Sequence, residues 1–272
     1  MDSRIARAIG LRHHPVALSW SDDVPQGALR FKEGRWGCVM WLVAHAAKGK
    51  PAACDAQTFG CVGGGVGLGF GNQYVNFPGG LPGFCHFLSS GNASRNGGKE
   101  LAEAIQPYVT AETLDNFLEG ERYLKGPKQV EVFISNLPIM EIPRSSVVFR
   151  PLKDVEEKRE QPEIVIFFAD PDQLSALVVL ANYGRGDNEN VIMPYAAGCQ
   201  TLGIYPYREA RSGRPRAVVG LTDLSARVHI RKQLGEPNLM TFAVPLAMFR
   251  EMEDNVPGSF LERPTWKSLQ AK

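Results

Sequence analysis

The clearest pattern along the chain is a continuous apolar run, Ile164-Val165-Ile166-Phe167-Phe168, entered from Glu163. A run with no polar alternation has no solvated side, so it predicts a strand buried on both faces. Asp170-Pro171 follow as N-cap and first helical residue. Leu174, Leu177, Val178 and Ala181 then recur at helical spacing as far as Tyr183, and Gly184 stops the helix. Near the start, Pro15–Trp20 reads as a strand after a short helix from Ser3 to Ile9. Trp36–Ala47 lacks Pro, and lacks Gly after Gly37, which predicts a helix ending at Gly49 with Pro51 beyond. Gly98–Lys125 is helical in character: Ala102, Ile105 and Val109 share a face, and Thr110 caps a second stretch carrying Leu114, Phe117, Leu118 and Tyr123. Val130–Ile134, Val147–Phe149, Ala217–Leu221, Ala226–Ile230 and Met240–Val244 read as strands, and Pro245–Met252 as a last helix.

This mixture predicts an α/β or α+β fold, a mixed sheet with helices packed on it. The charged stretch Lys153–Glu160, flanked by Pro151 and Pro162, divides a single domain of residues 1–256 into halves of about 1–150 and 163–256. Residues 257–272, with Pro257, Gly258 and Pro264, read as an irregular tail. A weak echo links the halves: strand Pro15–Trp20 matches Glu163–Phe168, helix Trp36–Ala47 matches Pro171–Tyr183, and Gly60-Cys61 matches Gly198-Cys199. The echo predicts two pseudo-repeated halves.

Charge narrows the function. With 30 Lys+Arg against 29 Asp+Glu the net charge is +1, so no overall positive field draws the chain to nucleic acid or an anionic membrane. No apolar run approaches the roughly 18 residues of a membrane helix. The first ten residues carry Asp2, Arg4 and Arg7 and lack the apolar segment of a secretory signal. The expected compartment is the cytoplasm, where thiols stay reduced, so the five cysteines need a reason other than disulfides.

Cys38, Cys54, Cys61 and Cys85 fall within 48 residues, and Cys199 lies far along the chain. No Cys-x-x-Cys pair occurs, which removes the strongest zinc-ribbon, thioredoxin-like and ferredoxin signatures. Clustered thiols still suit a [4Fe–4S] cluster, with Cys38, Cys54, Cys61 and Cys85 as ligands and Cys199 as the spare that can replace Cys54 or Cys85. Zinc is the alternative ion, and buried thiols acting as small apolar side chains are the plainer reading. His45, seven residues beyond Cys38 on the same helix, and His86, next to Cys85, are candidate axial ligands for a haem as second centre.

Seven of the twelve residues from Gly60 to Gly71 are glycine. No register gives Gly-x-Gly-x-x-Gly, and no Gly-Lys-Ser/Thr follows, so the stretch is not a nucleotide loop. It reads as a close-packed loop, with Gly63, Gly64 and Gly65 set against a prosthetic group.

Pro15-Val16-Ala17-Leu18, Cys38 before an alanine-rich helix, Gly60-Cys61 with the glycine run, Phe168-Ala169-Asp170-Pro171 before a helix ending Tyr183-Gly184, and Gly198-Cys199 occur in this order. Together they resemble the prokaryotic family called domain of unknown function 169, found largely in anaerobic bacteria and archaea. The resemblance implies a cytoplasmic protein of low-oxygen metabolism, a setting in which exposed iron–sulfur clusters survive. It assigns no activity.

The expectation is therefore a cytoplasmic [4Fe–4S] protein with an electron-transfer or sensing role, working with a redox partner protein or as an oligomer. The competing expectation is a cofactor-free binding protein or enzyme whose small-molecule pocket lies between the two halves.

Overall fold

The computed structural model describes residues 1–156 and 161–271. Its centre is one seven-stranded sheet built from β1 (Val16–Ser21), β2 (Ala52–Asp55), β3 (Ser146–Pro151), β4 (Ile164–Ala169), β5 (Val191–Ile192), β6 (Ala217–Gly220) and β7 (Met240–Pro245). The strand order is β2-β3-β1-β4-β7-β6-β5, so each half of the chain contributes an unbroken block and the blocks meet at β1 and β4. That seam is antiparallel, with Val16 opposite Ile166 and Leu18 opposite Ile164. Among the strands of the described residues, β5 and β6 are the pair that runs parallel. The sheet is mixed and the fold is α+β.

The unbroken run Ile164–Ala169 is buried at every residue because both faces of the sheet are covered. Ile164, Ile166 and Phe168 join Val16, Leu18 and Trp20 under the helix Val39–Ala47. Val165, Phe167 and Ala169 face the helices Pro171–Tyr183 and Leu246–Asp254. A third core, holding Val66, Tyr74, Phe84, Cys85 and Val130, belongs to a run of short helices between β2 and β3 that packs against Ile204, Tyr205 and Val218. Asp170 caps its helix as its sequence demands: its carboxylate accepts from the Gln173 N–H at 2.9 Å, and the Gln173 side chain accepts from the Asp170 N–H at 3.0 Å.

Several expectations fail, each for a local reason. Val130–Ile134 lies within the helix Pro127–Ser135, which Pro127 opens, so its β-branched residues were a misleading guide. Ala226–Ile230 lies within the helix Leu224–Leu234, whose cap is Asp223 accepting from the Ala226 N–H. Half of the glycine run, Val62–Gly67, is a helix rather than a loop. The short strands β2 and β5 have too few residues to show a pattern. The tail is ordered: Phe260–Glu262 forms a 3-10 turn and Pro264–Gln270 a helix. Trp266 is the reason, because its ring enters the second core and its Nε1 donates to the Ala8 carbonyl at 3.0 Å. Of the charged joint, Leu152–Asp154 is a 3-10 turn and 157–160 lie outside the described residues.

A repeat of the two halves is not shown. The helix after β1 covers one face of the sheet and the helix after β4 the other. The two-fold axis that relates neighbouring antiparallel strands is normal to the sheet and keeps such helices on one face. Among the described residues no helix is long and apolar enough to cross a membrane.

Because Trp266 anchors the tail, Trp266→Ala should lower stability by about 3–5 kcal/mol in urea unfolding. A loss below about 1 kcal/mol would show that the tail rests on the domain without supporting it.

Candidate functional site

Three cysteines meet on one cavity, and each arrives at the start of a helix. Cys38 is the N-cap of Val39–Ala47, Cys61 is the N-cap of Val62–Gly67, and Cys199 is the second residue of Gly198–Leu202. All five cysteines of the chain are free.

Glycines explain how three helix starts come so close. A Cβ on Gly60 would stand 2.2 Å from the Gly37 carbonyl oxygen, so the segments Gly37-Cys38 and Gly60-Cys61 touch backbone to backbone. Gly60 also has φ +82°, which glycine adopts at little cost. A Cβ on Gly67 would lie 2.7 Å from the Cys199 carbonyl carbon and the Gln200 nitrogen, and one on Gly203 would lie 2.0 Å from the Gly67 oxygen. Gly198 packs against the Met40 sulfur in the same way. Gly64 and Gly65 serve this packing, against Val39 and Phe59, while Gly63 lines the cavity. Gly63 also accepts the Cys199 thiol proton at 3.0 Å. Trp20 ties the sheet to the assembly, its Nε1 donating to Leu68 O at 2.8 Å.

The cavity holds about 530 Å³ and lies between the halves, lined by residues 36–133 of the first and 195–233 of the second. Its walls are rich in aromatic side chains, among them Trp36, Trp41, Phe77, Phe87, Phe117 and Tyr195. Trp41 meets Trp36 and His229 edge-on, and the Trp36 and His229 rings are tilted to each other, with centroids 5.3–5.9 Å apart.

Burial pushes the thiols of Cys38, Cys61 and Cys199 up. The neighbouring Cys61 raises Cys38 further, and Cys61 and Cys38 both raise Cys199. Hydrogen bonds work the other way. The Gly64 N–H donates to the Cys61 sulfur at 3.3 Å, and the Met40 N–H favours the Cys38 thiolate. The three are thus neutral thiols when unligated, with N–H donors in place for thiolates at Cys38 and Cys61.

Of the three acids on the cavity, Glu112, Glu121 and Asp223, the last two stand out. Asp223 accepts from the Gly198 N–H at 3.1 Å and from Ser225 Oγ at 2.8 Å, which fixes it beside Cys199. Burial, with the Asp223 charge behind it, pushes Glu121 up to about 8. Arg122 (φ 56°) and Leu221 (φ 64°) are the residues other than glycine with positive φ among the described residues, and they flank these two acids. Such a conformation costs on the order of 1–2 kcal/mol per residue. Strain of this kind collects where the chain must aim a side chain.

The other expected site residues stand elsewhere. Cys54 is buried on β2 opposite Val147, and its burial raises its thiol. Cys85 lies in the third core on the helix Gly80–Phe87. His45 sits in the last turn of the Cys38 helix, at the far end from the cavity. His86 ends the Cys85 helix, its Nδ1 bonded to Gly91 O at 3.2 Å. Cys38, Cys54, Cys61 and Cys85 are therefore not brought together as four ligands, and neither histidine lines the cavity. Among the described residues no group of three or more His, Cys, Asp or Glu side chains forms a site for a metal ion.

Sequence reasoning missed Asp223, His229 and Glu121. The first two were hidden by taking Ala226–Ile230 as a strand, although Asp223 three residues before Ala226 is a cap signal. Gly120-Glu121-Arg122 offered only a turn glycine.

An α+β domain with a thiol-lined cavity between its halves is the class of protein these features define. The family model for domain of unknown function 169, uncharacterised ArCR, matches residues 4–255, and the chain belongs to that family. No curated protein and no solved structure matches it.

The backbone contact at Gly67 sets a test. Gly67→Ala should lower stability by about 1–3 kcal/mol, because backbone on the far side cannot move away. Gly213→Ala, with nothing within 4 Å of its new Cβ, is the control and should leave the melting temperature unchanged. Equal melting temperatures for the two variants would contradict the packing described.

Proposed function

We propose that the cavity holds a [4Fe–4S] cluster on Cys38, Cys61 and Cys199, and that the protein is a cytoplasmic redox protein whose small-molecule ligand sits beside that cluster. One observation carries the reading: thiols 23 and 161 residues from Cys38 in sequence reach one cavity with it. A [4Fe–4S] cube spreads its thiolates over separate iron atoms, a wider set than the shell of a single zinc ion with Zn–S near ~2.3 Å. With Cys38, Cys61 and Cys199 as the only thiolates, a cube held here would have one iron without a protein sulfur. Cys199 thus enters the ligand set, and Cys54 and Cys85 leave it.

When bound, the cluster supplies one-electron chemistry. The chain supplies the setting. Each raised thiol would have to give up its proton to hold iron. The N–H groups of Gly64 and Met40 then donate to sulfur, a known lever on cluster potential. The aromatic walls limit water around the sulfurs. His45 and His86 lie off the cavity, so neither is placed to hold a haem in it.

The second reading keeps the cavity and drops the iron: a cofactor-free binding protein or enzyme with its pocket between the halves. The volume and aromatic lining of that pocket favour it independently of the thiols.

Anaerobically purified protein should show a broad shoulder near ~400 nm that bleaches with dithionite, together with iron and sulfide by assay. Cys38→Ser, Cys61→Ser and Cys199→Ser should each lose most of the iron, and Cys54→Ser and Cys85→Ser should keep it. Iron that depends on Cys54 or Cys85, or wild-type protein free of iron and sulfide after anaerobic reconstitution, would overturn the cluster and leave the second reading.

A further inference from the structure

The cavity has a second end, and its chemistry differs from that of the thiols. Four charged side chains line the space: Glu112, Glu121, Asp223 and Lys232. Three are acids. Asp223 is occupied by its bonds to Gly198, Ser225 and Ala226. Lys232 is exposed at the surface. The Glu121 carboxylate has no hydrogen-bond or ion-pair partner among the described residues, although its backbone N–H is bonded to Phe87 O at 2.8 Å. Tyr123 and Tyr195 lie within reach of its charge, and Phe87 and Phe117 line the same cavity. Asp223 lies between the two ends, since its charge acts on the three thiols and on Glu121, Tyr123 and Tyr195 alike.

A half-buried carboxylate with no partner is costly unless a ligand supplies one. Aromatic faces attract cations, most strongly where water is scarce. We infer that the cavity binds a flat aromatic cation, a protonated or quaternised nitrogen heterocycle, with Glu121 as its counter-ion. This rests on the reading of the cavity as a ligand site and not on iron at the thiols.

Glu121 is raised to about 8, so without ligand it is mostly protonated at pH 7. A permanent cation displaces that proton. Its affinity therefore rises about tenfold per pH unit below 8 and levels off above it. The other groups facing the space are Glu112 from the helix Ala111–Glu119, Tyr74, whose phenol burial raises, Tyr123 beside Glu121, Tyr195, the three cysteines, and Asp223, His229 and Lys232 from the helix Leu224–Leu234 and its cap. Burial lowers His229, which keeps it neutral above its ordinary range. Burial raises Tyr123, Tyr195 and the thiols, which keeps them neutral up to pH 8.

The probes are N-methylquinolinium, a permanent cation, and 1-methylnaphthalene, its neutral shape-mate, titrated by tryptophan fluorescence between pH 6 and 9. The cation should bind at least about tenfold tighter than the hydrocarbon at pH 8. Glu121→Gln, close in shape to the protonated acid, should weaken the cation at least about tenfold at pH 8 and abolish its pH dependence. It should leave hydrocarbon binding and bound iron unchanged. No binding of either probe, equal binding of both, or an unchanged cation affinity in Glu121→Gln would each overturn the inference. Iron content is read separately, so failure of the cluster and failure of the counter-ion are distinct results.

Discussion

Everything at this site depends on backbone touching backbone. Cysteines 38, 61 and 199 come from three segments distant in sequence, and an ordinary side chain at any contact would hold them apart. Gly60 meets the Gly37 carbonyl, Gly67 meets the backbone of Cys199 and Gln200, and Gly203 meets Gly67. Glycine is a poor helix former, by about 1 kcal/mol per residue against alanine. Val62–Gly67 carries four of them and is helical all the same. Tertiary contact outweighs propensity here, and the gain is close approach.

The sheet makes that approach possible. Its first face presents Val16, Leu18, Trp20, Ile166 and Phe168 as a floor for the Cys38 helix. Trp20 reaches beyond the floor to the carbonyl that ends the glycine helix. The short helices between β2 and β3 then close over the floor, and the cavity is the space left between them and the second half. Burial there keeps the thiols neutral and leaves Glu121 without a partner. Both are states that a bound cofactor or ligand changes.

How much of this was legible in the sequence follows physical lines. The β4 run, the Asp170 cap and the Tyr183-Gly184 stop were readable because local chemistry and tertiary burial agree there. Val130–Ile134 and Ala226–Ile230 were misread because β-branched residues on helices look like strands until the cap, Pro127 or Asp223, is weighed. Cys38 and Cys61 were nominated by clustering, and so were Cys54 and Cys85, which the fold sends to the sheet and to the third core. Sequence proximity was the wrong guide. Cys199 shared the Gly-Cys pair with Cys61, and that resemblance was the better signal, because glycine beside cysteine is what lets each segment approach the others. Glu121 left no trace, since its role comes only from what the folded chain places around it.

The central proposal is that Cys38, Cys61 and Cys199, and no fourth thiol, would hold an iron–sulfur cube. A Mössbauer spectrum of anaerobic protein loaded with iron-57 tests it most directly. The account predicts four irons of which one differs from the other three and changes when a small ligand is added. Four equivalent irons would require a fourth protein thiolate and contradict the site, and a spectrum with no cluster iron would contradict the cofactor itself.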